Sequence, residues 1–239
     1  FALLRFRSEA YLGCLSRHLV EGGQAEVLDA QSLISLTYSF GLLGHSSHPV
    51  LRALGDRAIP SLPEFRPEGF SIMVYSLGLV NFRHHDLLKA VAQHAPPVLP
   101  RFTPQNIANL LHGLGLVAFD HDDGFVRAVA SHLAARLGEC APQDVANSLT
   151  ALVRMCVPHD GLLEAVARGA AAPGSTLALD RFTTQEIANT VYAFDALQAF
   201  EPRLFERVAA ETLRRLDEFK PQEVANVVWA FSKQAFGTA

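Results

Sequence analysis

Apolar residues recur every three or four positions along most of the chain, with polar residues between them. Two stripes of this kind repeat the same offsets: Ile107, Leu111 and Leu114, and Ile187, Val191 and Phe194. Steps of three and four place side chains on one face of an α-helix, whereas a half-buried strand alternates residue by residue. No such alternation of useful length occurs in the chain. The pattern therefore predicts an all-α fold.

A short motif recurs together with these stripes. Its clearest copies occupy residues 102–109, 140–147, 182–189 and 219–226, and weaker copies occupy 28–35 and 65–72. We call the first residue of each copy the anchor, and successive anchors lie 37, 37, 38, 42 and 37 residues apart. The longest step contains a small-residue stretch at 169–176, which predicts an inserted loop. Near-constant spacing predicts an α-solenoid of about six helical-hairpin repeats of 37–42 residues.

Each repeat is predicted to hold two helices. Thr103 is predicted to cap the first helix of one unit, with Pro104 as the first residue of that helix. In another unit Thr183 and Glu186 are predicted to form a capping box. Glycines are expected near the ends of three first helices: Gly41, Gly78 and Gly115. The second helices are predicted to bury two stripes: Phe125, Val129, His132 and Leu133, and Leu204, Val208 and Leu213.

The predicted domain organisation is a single α-solenoid over residues 1–239, with units anchored near 28, 65, 102, 140, 182 and 219. Residues 1–27 supply a partial hairpin with a helix around 9–20, and the last unit supplies only its first helix, ending near Gln234. The chain also starts at Phe1 without an initiator Met. We therefore expect a fragment of a longer chain.

Charge and cysteine content narrow the function classes. The chain has 20 Lys and Arg against 24 Asp and Glu, a net charge of -4, so it lacks the basic excess typical of nucleic-acid binders. No apolar run is long enough for a membrane helix. Three cysteines indicate a reduced compartment rather than a disulfide scaffold, and Cys140, at an anchor, is predicted to be a small core residue.

Motifs for chemistry are absent from the sequence. It contains no phosphate-binding glycine loop, nucleophile elbow or zinc-protease motif. Cys156 has only His159 near it, which does not make a zinc site. Five histidines lie in or beside inter-helix turns and are expected to be solvated: His45, His48, His84, His85 and His121. We predict no enzyme activity, no metal site, no cofactor and no small-molecule substrate.

The repeated Pro-Gln-x-Ile/Val-Ala-Asn, followed by Thr-Val-Tyr-Ala-Phe at 190–194 or Val-Val-Trp-Ala-Phe at 227–231, resembles the octotricopeptide and heptatricopeptide repeat proteins. These organellar helical-repeat proteins are related to FAST-kinase-like proteins, and many end in a nuclease-like RAP domain. The resemblance implies an α-solenoid that binds organellar RNA, in a mitochondrion or alternatively a plastid. It carries over no catalytic activity, since the resemblance does not include a RAP domain.

Candidate RNA-binding residues recur at fixed offsets from the anchors. Seven residues after four anchors stand the amides Asn109, Asn147, Asn189 and Asn226. Their recurrence indicates a hydrogen-bond ladder between repeats, with contact to RNA as the alternative. Ten residues after the anchors stand Tyr38, Tyr75, His112, Thr150, Tyr192 and Trp229. Aromatic rings there either pack in the core or stack on bases, and His112, Tyr192 and Trp229 are the candidates for stacking.

Two cations, Arg154 and Lys233, follow fourteen residues after their anchors. They either contact phosphates or complete a solvated helix end, where a cation suits the helix dipole. The position four residues after the anchor varies most: Ser32, Gly69, Asn106, Asp144, Glu186 and Glu223. Variation is expected of a base-reading position, but its three acids would repel phosphate.

Three functional hypotheses remain. The first is an organellar RNA-binding protein, preferably a mitochondrial ribosome component that contacts rRNA and neighbouring proteins of the ribonucleoprotein, and otherwise a transcript stability or processing factor. The second is a protein–protein interaction scaffold without RNA contact, which the net charge of -4 favours. The third, an enzyme subunit whose active domain is missing, has only the abrupt chain ends behind it.

Overall fold

The computed structural model of the chain describes the backbone of residues 8–236 and the side chains of residues 8–233. This part of the chain contains twelve α-helices, six short 3-10 segments and no strand. Within it the helices pack in neighbouring pairs, which confirms the prediction of an all-α solenoid of helical hairpins.

Even-numbered helices are the first helices of the hairpins, and odd-numbered helices are the second. The helices are α1 Glu9–Glu21, α2 Ala30–Leu42, α3 His48–Ser61, α4 Pro67–Leu79, α5 His85–His94, α6 Pro104–Leu116, α7 Asp123–Ala135, α8 Pro142–Met155, α9 Asp160–Ala171, α10 Thr184–Ala196, α11 Pro202–Arg214 and α12 Pro221–Phe236.

Local hydrogen bonds start the first helices where the sequence predicts. In α6 the Thr103 hydroxyl accepts from the backbone N–H of Asn106 at 3.1 Å, and the Asn106 amide oxygen accepts from the N–H of Thr103 at 3.2 Å. In α10 Thr183 and Glu186 make the same reciprocal pair, at 3.2 and 2.8 Å. Both predicted caps are confirmed. They satisfy backbone donors that have no partner inside the helix.

Each first helix from α2 to α10 is followed by a residue with a left-handed backbone: Gly44, Asn81, Ala118, Cys156 and Gln198. The N–H of the next residue then donates to a carbonyl five residues earlier, as in a Schellman motif. The predicted glycines Gly41, Gly78 and Gly115 each stand one residue before the end of the helix, as expected, but the left-handed position comes three residues after them.

A 3-10 turn just before each anchor joins the second helix of one hairpin to the first helix of the next. In five units the anchor N–H donates to the carbonyl of a leucine three residues earlier: Phe65 to Leu62, Phe102 to Leu99, Cys140 to Leu137, Phe182 to Leu179 and Phe219 to Leu216. These five anchors are buried, and Cys140 among them lies in the core as predicted. These turns were not predicted, although the leucine that recurs three residues before five of the anchors was available as a signal.

The chain divides after Phe125 into two compact units, with the division falling inside α7. In the N-terminal unit the first helices α2, α4 and α6 pack side by side, and the second helices α1, α3 and α5 form the other layer. The first helices approach closely at glycine. A Cβ at Gly113 would lie 2.7 Å from the Tyr75 nitrogen, and one at Gly78 would lie 2.7 Å from the Leu116 Cβ.

In the C-terminal unit α10 packs against both α8 and α12, and α9 packs against α11. Phe182 and Phe194 are fully buried between these elements. The predicted insertion at 169–176 is shifted, because α9 continues to Ala171 and the irregular segment covers 172–178. The expectation of a single domain over residues 1–239 stays a prediction.

Two predictions for the second helices and turns are wrong. Leu213 is 74% exposed, and the buried residues of that turn are Glu211 and Thr212, so the stripe of Leu204 and Val208 does not extend to Leu213. His45 and His84 are buried rather than solvated. His45 shares a 2.8 Å hydrogen bond with Ser16, and His84 caps α5 by accepting from the N–H of Leu87. No described helix is long and apolar enough to span a bilayer.

Candidate nucleic-acid interface

The four repeated amides lie half-buried on the first helices. Within the described part of the chain, the side chains of Asn109, Asn147 and Asn189 make no hydrogen bond. Asn226 accepts a 3.1 Å bond from the Gln222 amide of its own helix. The predicted ladder between repeats is therefore wrong for these side chains. The half-buried amides of Asn109, Asn147 and Asn189 thus keep polar atoms without a partner among the described residues.

The aromatic position is not a core position in the C-terminal unit. Tyr192 is 41% exposed and Trp229 is 55% exposed, so the packing alternative is wrong for both rings. Thr150 takes this position on α8, where its hydroxyl donates to the Ala146 carbonyl at 2.8 Å. Two flat surfaces on neighbouring helices therefore face solvent.

In the N-terminal unit two rings at the same position lie next to each other. The Tyr75 and His112 rings are 5.6 Å apart, and both side chains are half-buried. Burial, and secondarily the neighbouring Tyr38, raises the pKa of the Tyr75 phenol. These rings keep less of their faces free than Tyr192 and Trp229 do.

The two candidate cations differ in their surroundings. Arg154 is exposed in the last turn of α8 and makes no ion pair with any described residue. The Lys233 ammonium lies 5.1 Å from the centre of the Trp229 ring and 3.7 Å from the Asp195 carboxylate. Arg154 is thus free to contact a phosphate, whereas Lys233 is held beside the indole.

Asp195 is a residue of this surface that the sequence analysis missed. It stands thirteen residues after its anchor, where the first three units have Gly41, Gly78 and Gly115. An acid replacing a glycine in a repeat was a signal that could have been used. Its side chain is 4% exposed and reaches α12 through Lys233.

In the last four units the variable position four residues after the anchor caps the helix, so its interpretation as a base reader is wrong there. Side chains at this position accept the backbone N–H of the residue that precedes the helix: Asn106 from Thr103, Asp144 from Ala141, Glu186 from Thr183 and Glu223 from Lys220. Carboxylates suit helix N-termini, where the dipole is positive. The three acids therefore have a structural cause and need not lie in the path of a phosphate chain.

Seven of the nine candidate residues lie on three first helices that pack in sequence within the C-terminal unit. These are Asn147 and Arg154 on α8, Asn189 and Tyr192 on α10, and Asn226, Trp229 and Lys233 on α12. We call this set the amide–aromatic row. Asn109 and His112 lie on α6 in the N-terminal unit.

Other chemistry is sparse in the part of the chain that the structure describes. No group of three or more His, Cys, Asp or Glu residues there could hold a metal ion. Burial raises the pKa of the Cys140 thiol to about 12, with smaller contributions from Asp144 and Glu139. A cleft of about 560 Å³ between α9 and α11 is lined in part by Glu164, Arg168 and Glu201 and contains no residue of the amide–aromatic row.

Comparison with known proteins gives one family. A protein-family model described as RNA-editing substrate-binding complex 6 protein matches residues 1–239. No curated protein gives a significant match. The match agrees with the predicted class, an organellar RNA-related helical family, but gives no support for octotricopeptide or heptatricopeptide proteins specifically. Since the match spans the whole sequence, the chain belongs to the RNA-editing substrate-binding complex 6 protein family.

Proposed function

We propose that the chain binds single-stranded RNA through the amide–aromatic row, as a non-catalytic subunit of an RNA-editing complex. The observation that carries the proposal is the set of groups that the row leaves open to a ligand. Among the described residues, the half-buried amides of Asn147 and Asn189 make no hydrogen bond. The Tyr192 and Trp229 rings are exposed on the next two helices, and Arg154 is exposed without an ion pair. Side chains needed only for folding would be buried or bonded to their neighbours.

Each group in the row has a role in such binding. Bases stack on the Tyr192 and Trp229 rings, with about 1–3 kcal/mol for each base. The amides of Asn147 and Asn189 offer both a donor and an acceptor to the edge of an unpaired base. Arg154 contacts a phosphate. Because the row has few cations, stacking and hydrogen bonds contribute more than charge, which accommodates a net charge of -4.

Family membership favours an editing complex over a ribosome. The family description names an RNA-editing substrate-binding complex, so the proposed ligand is substrate RNA and the proposed partners are other subunits of that complex. RNA-editing complexes are mitochondrial in kinetoplastids, and we place this chain in a mitochondrion. Ribosomal RNA, a ribosome and a plastid gain no support from the match.

The test is direct binding of a fluorescent 12-nucleotide single-stranded RNA to the full chain, followed by anisotropy. The double variant Tyr192→Ala with Trp229→Ala should bind at least tenfold more weakly, because both stacking faces are lost. Phe200→Ala is the matched control, since Phe200 is an exposed aromatic residue outside the row. Equal affinity of the double variant and the wild type would refute the proposal, and so would absence of binding by the wild type.

A protein-binding role is the second candidate, favoured by one observation in the N-terminal unit. Fourteen residues after the anchors, where the amide–aromatic row has Arg154 and Lys233, stand the exposed Leu42 and Leu79. An uncharged leucine surface suits a protein better than a phosphate chain. If Leu42→Ser with Leu79→Ser releases a copurifying subunit while RNA affinity stays constant, both functions are present on one chain.

A further inference from the structure

Among the residues that the structure describes, Asp195 has no hydrogen-bond partner that would explain a buried carboxylate. Its side chain is 4% exposed, and among the described residues its polar partner is the Lys233 ammonium, at 3.7 Å. That separation is longer than a hydrogen bond. The Lys233 side chain is 54% exposed, so it can move away from Asp195 into solvent. Buried carboxylates are costly unless hydrogen-bonded, and a poorly satisfied one beside an exposed ring is a candidate ligand site.

The Lys233 ammonium occupies the space between the Trp229 ring and the Asp195 carboxylate, where a ligand could contact both groups. It lies 5.1 Å from the centre of the Trp229 ring and 3.7 Å from Asp195. A planar base stacked on the exposed indole would therefore bring N–H groups at its edge close to the carboxylate. When no ligand is bound, the Lys233 ammonium occupies this position beside the carboxylate.

We propose that Trp229, Asp195 and Lys233 form a base-specific site for guanine in single-stranded RNA, an inference that rests on the proposed RNA-binding function. Guanine presents two adjacent donors, N1–H and the 2-amino group, which match the two oxygens of a carboxylate. Such a bidentate, charge-assisted pair is strong. Lys233 then exchanges the carboxylate for the phosphate of the same nucleotide.

The other bases fit this carboxylate less well. Uracil offers a single N–H between two carbonyl oxygens, which the carboxylate repels. Cytosine and adenine offer an amino group beside an acceptor nitrogen, so one carboxylate oxygen would face a lone pair. In the other five units the position of Asp195 holds Gly41, Gly78, Gly115, Val153 or Ser232. The chain therefore has one guanine site, in the unit anchored at 182.

The experiment compares 12-nucleotide RNAs that consist of uridine except for one central base, with the full chain and anisotropy as the readout. A central guanine should bind about tenfold more tightly than a central uridine. Inosine, which lacks the 2-amino group, should lose most of this gain. A central 7-deazaguanine keeps both donors and should retain it. These RNAs test the site without any change to the protein.

The protein variants complete the test. Asp195→Asn should bind the guanine and uridine RNAs equally, while Asp217→Asn, an exposed acid in the turn before α12, should keep the preference. If the wild type binds both RNAs equally well, or if inosine matches guanine, the guanine site is refuted while RNA binding stands. If the wild type binds neither RNA, the proposed function fails and the guanine site fails with it.

Discussion

The two units differ in chemistry at the same contact between consecutive first helices. In the N-terminal unit Gly78 of α4 meets Leu116 of α6, so closely that a Cβ on the glycine would lie 2.7 Å from the leucine Cβ. In the C-terminal unit the residues at these two offsets are Asp195 of α10 and Lys233 of α12, which form an ion pair. Apolar close packing at this contact is replaced by a buried charge with an exposed partner.

This difference separates the features that every repeat requires for folding from the positions at which the residue can vary. Buried anchors, 3-10 turns and left-handed residues occur in both units, so hairpin formation depends on them. The contact between consecutive first helices accepts either Gly and Leu or Asp and Lys. Positions that tolerate such different chemistry are the ones on which function can be placed.

The largest effect is expected at the glycine contact. Gly113→Ala would put a Cβ 2.7 Å from the nitrogen and 2.8 Å from the Cα of Tyr75, and backbone atoms cannot move aside without separating α4 from α6. We expect a loss of about 2–3 kcal/mol in the free energy of unfolding, measured by urea denaturation. The counterpart in the C-terminal unit is Ala193, and Ala193→Gly should cost only about 1 kcal/mol of helix propensity. Unchanged stability of Gly113→Ala would show that the helices are not held at this distance.

The next effect concerns the rings ten residues after the anchors. Trp229→Ala should weaken binding of single-stranded RNA about tenfold, because one stacking face is lost. Tyr38→Ala removes the ring at the same offset in the N-terminal unit and should change the affinity less than twofold. Anisotropy titrations of both variants provide the measurement. If Tyr38→Ala loses more RNA affinity than Trp229→Ala, RNA binds the N-terminal unit and the prediction is wrong.

A smaller effect is expected at the acids of the C-terminal unit. Glu186→Ala removes one half of the capping box of α10 and should lower the free energy of unfolding by about 1 kcal/mol. RNA affinity should stay constant, since the carboxylate is bound to the N–H of Thr183. Gln185→Ala, at an exposed neighbour, serves as the control for stability. A rise in RNA affinity for Glu186→Ala would mean that this acid does repel phosphate.

The smallest effect concerns the free cation. Arg154→Ala removes one phosphate contact, so the slope of log affinity against log salt should become shallower by about 0.7. Affinity at moderate salt should fall only about threefold. Arg207→Ala on α11 removes an exposed arginine outside the row and should leave the slope unchanged. Equal slopes for Arg154→Ala and the wild type would exclude the phosphate contact.

Local signals in the sequence were sufficient for the repeat and for most helix starts. The Thr183 capping box and the stripe from Ile187 to Phe194 lie within one helix, so they can be recognised without knowing the neighbours. The left-handed positions could not be recognised by glycine, because four of the five hold Asn81, Ala118, Cys156 or Gln198.

Features that depend on contacts between repeats were harder to predict. Leu213 continues the apolar stripe of α11, yet no residue within 8–233 covers it. The amides were interpreted as a ladder because they recur, but recurrence alone does not say whether a position is bonded. Asp195 was overlooked for the opposite reason, since it departs from the repeat. Exceptions to a repeat proved more informative about the candidate site than the residues that conform to it.

The closures of the hairpins also bear on how the chain acquires its structure. Each 3-10 turn joins residues three apart, and each left-handed cap joins residues five apart. Contacts at such short separation require little loop entropy, so they form early and rapidly. A hairpin can therefore begin to form soon after its residues leave the ribosome, and it becomes stable once neighbouring hairpins cover its apolar face. Synthesis itself would then order folding from the first repeat onward, and the last hairpin of a stalled chain would be its least stable part.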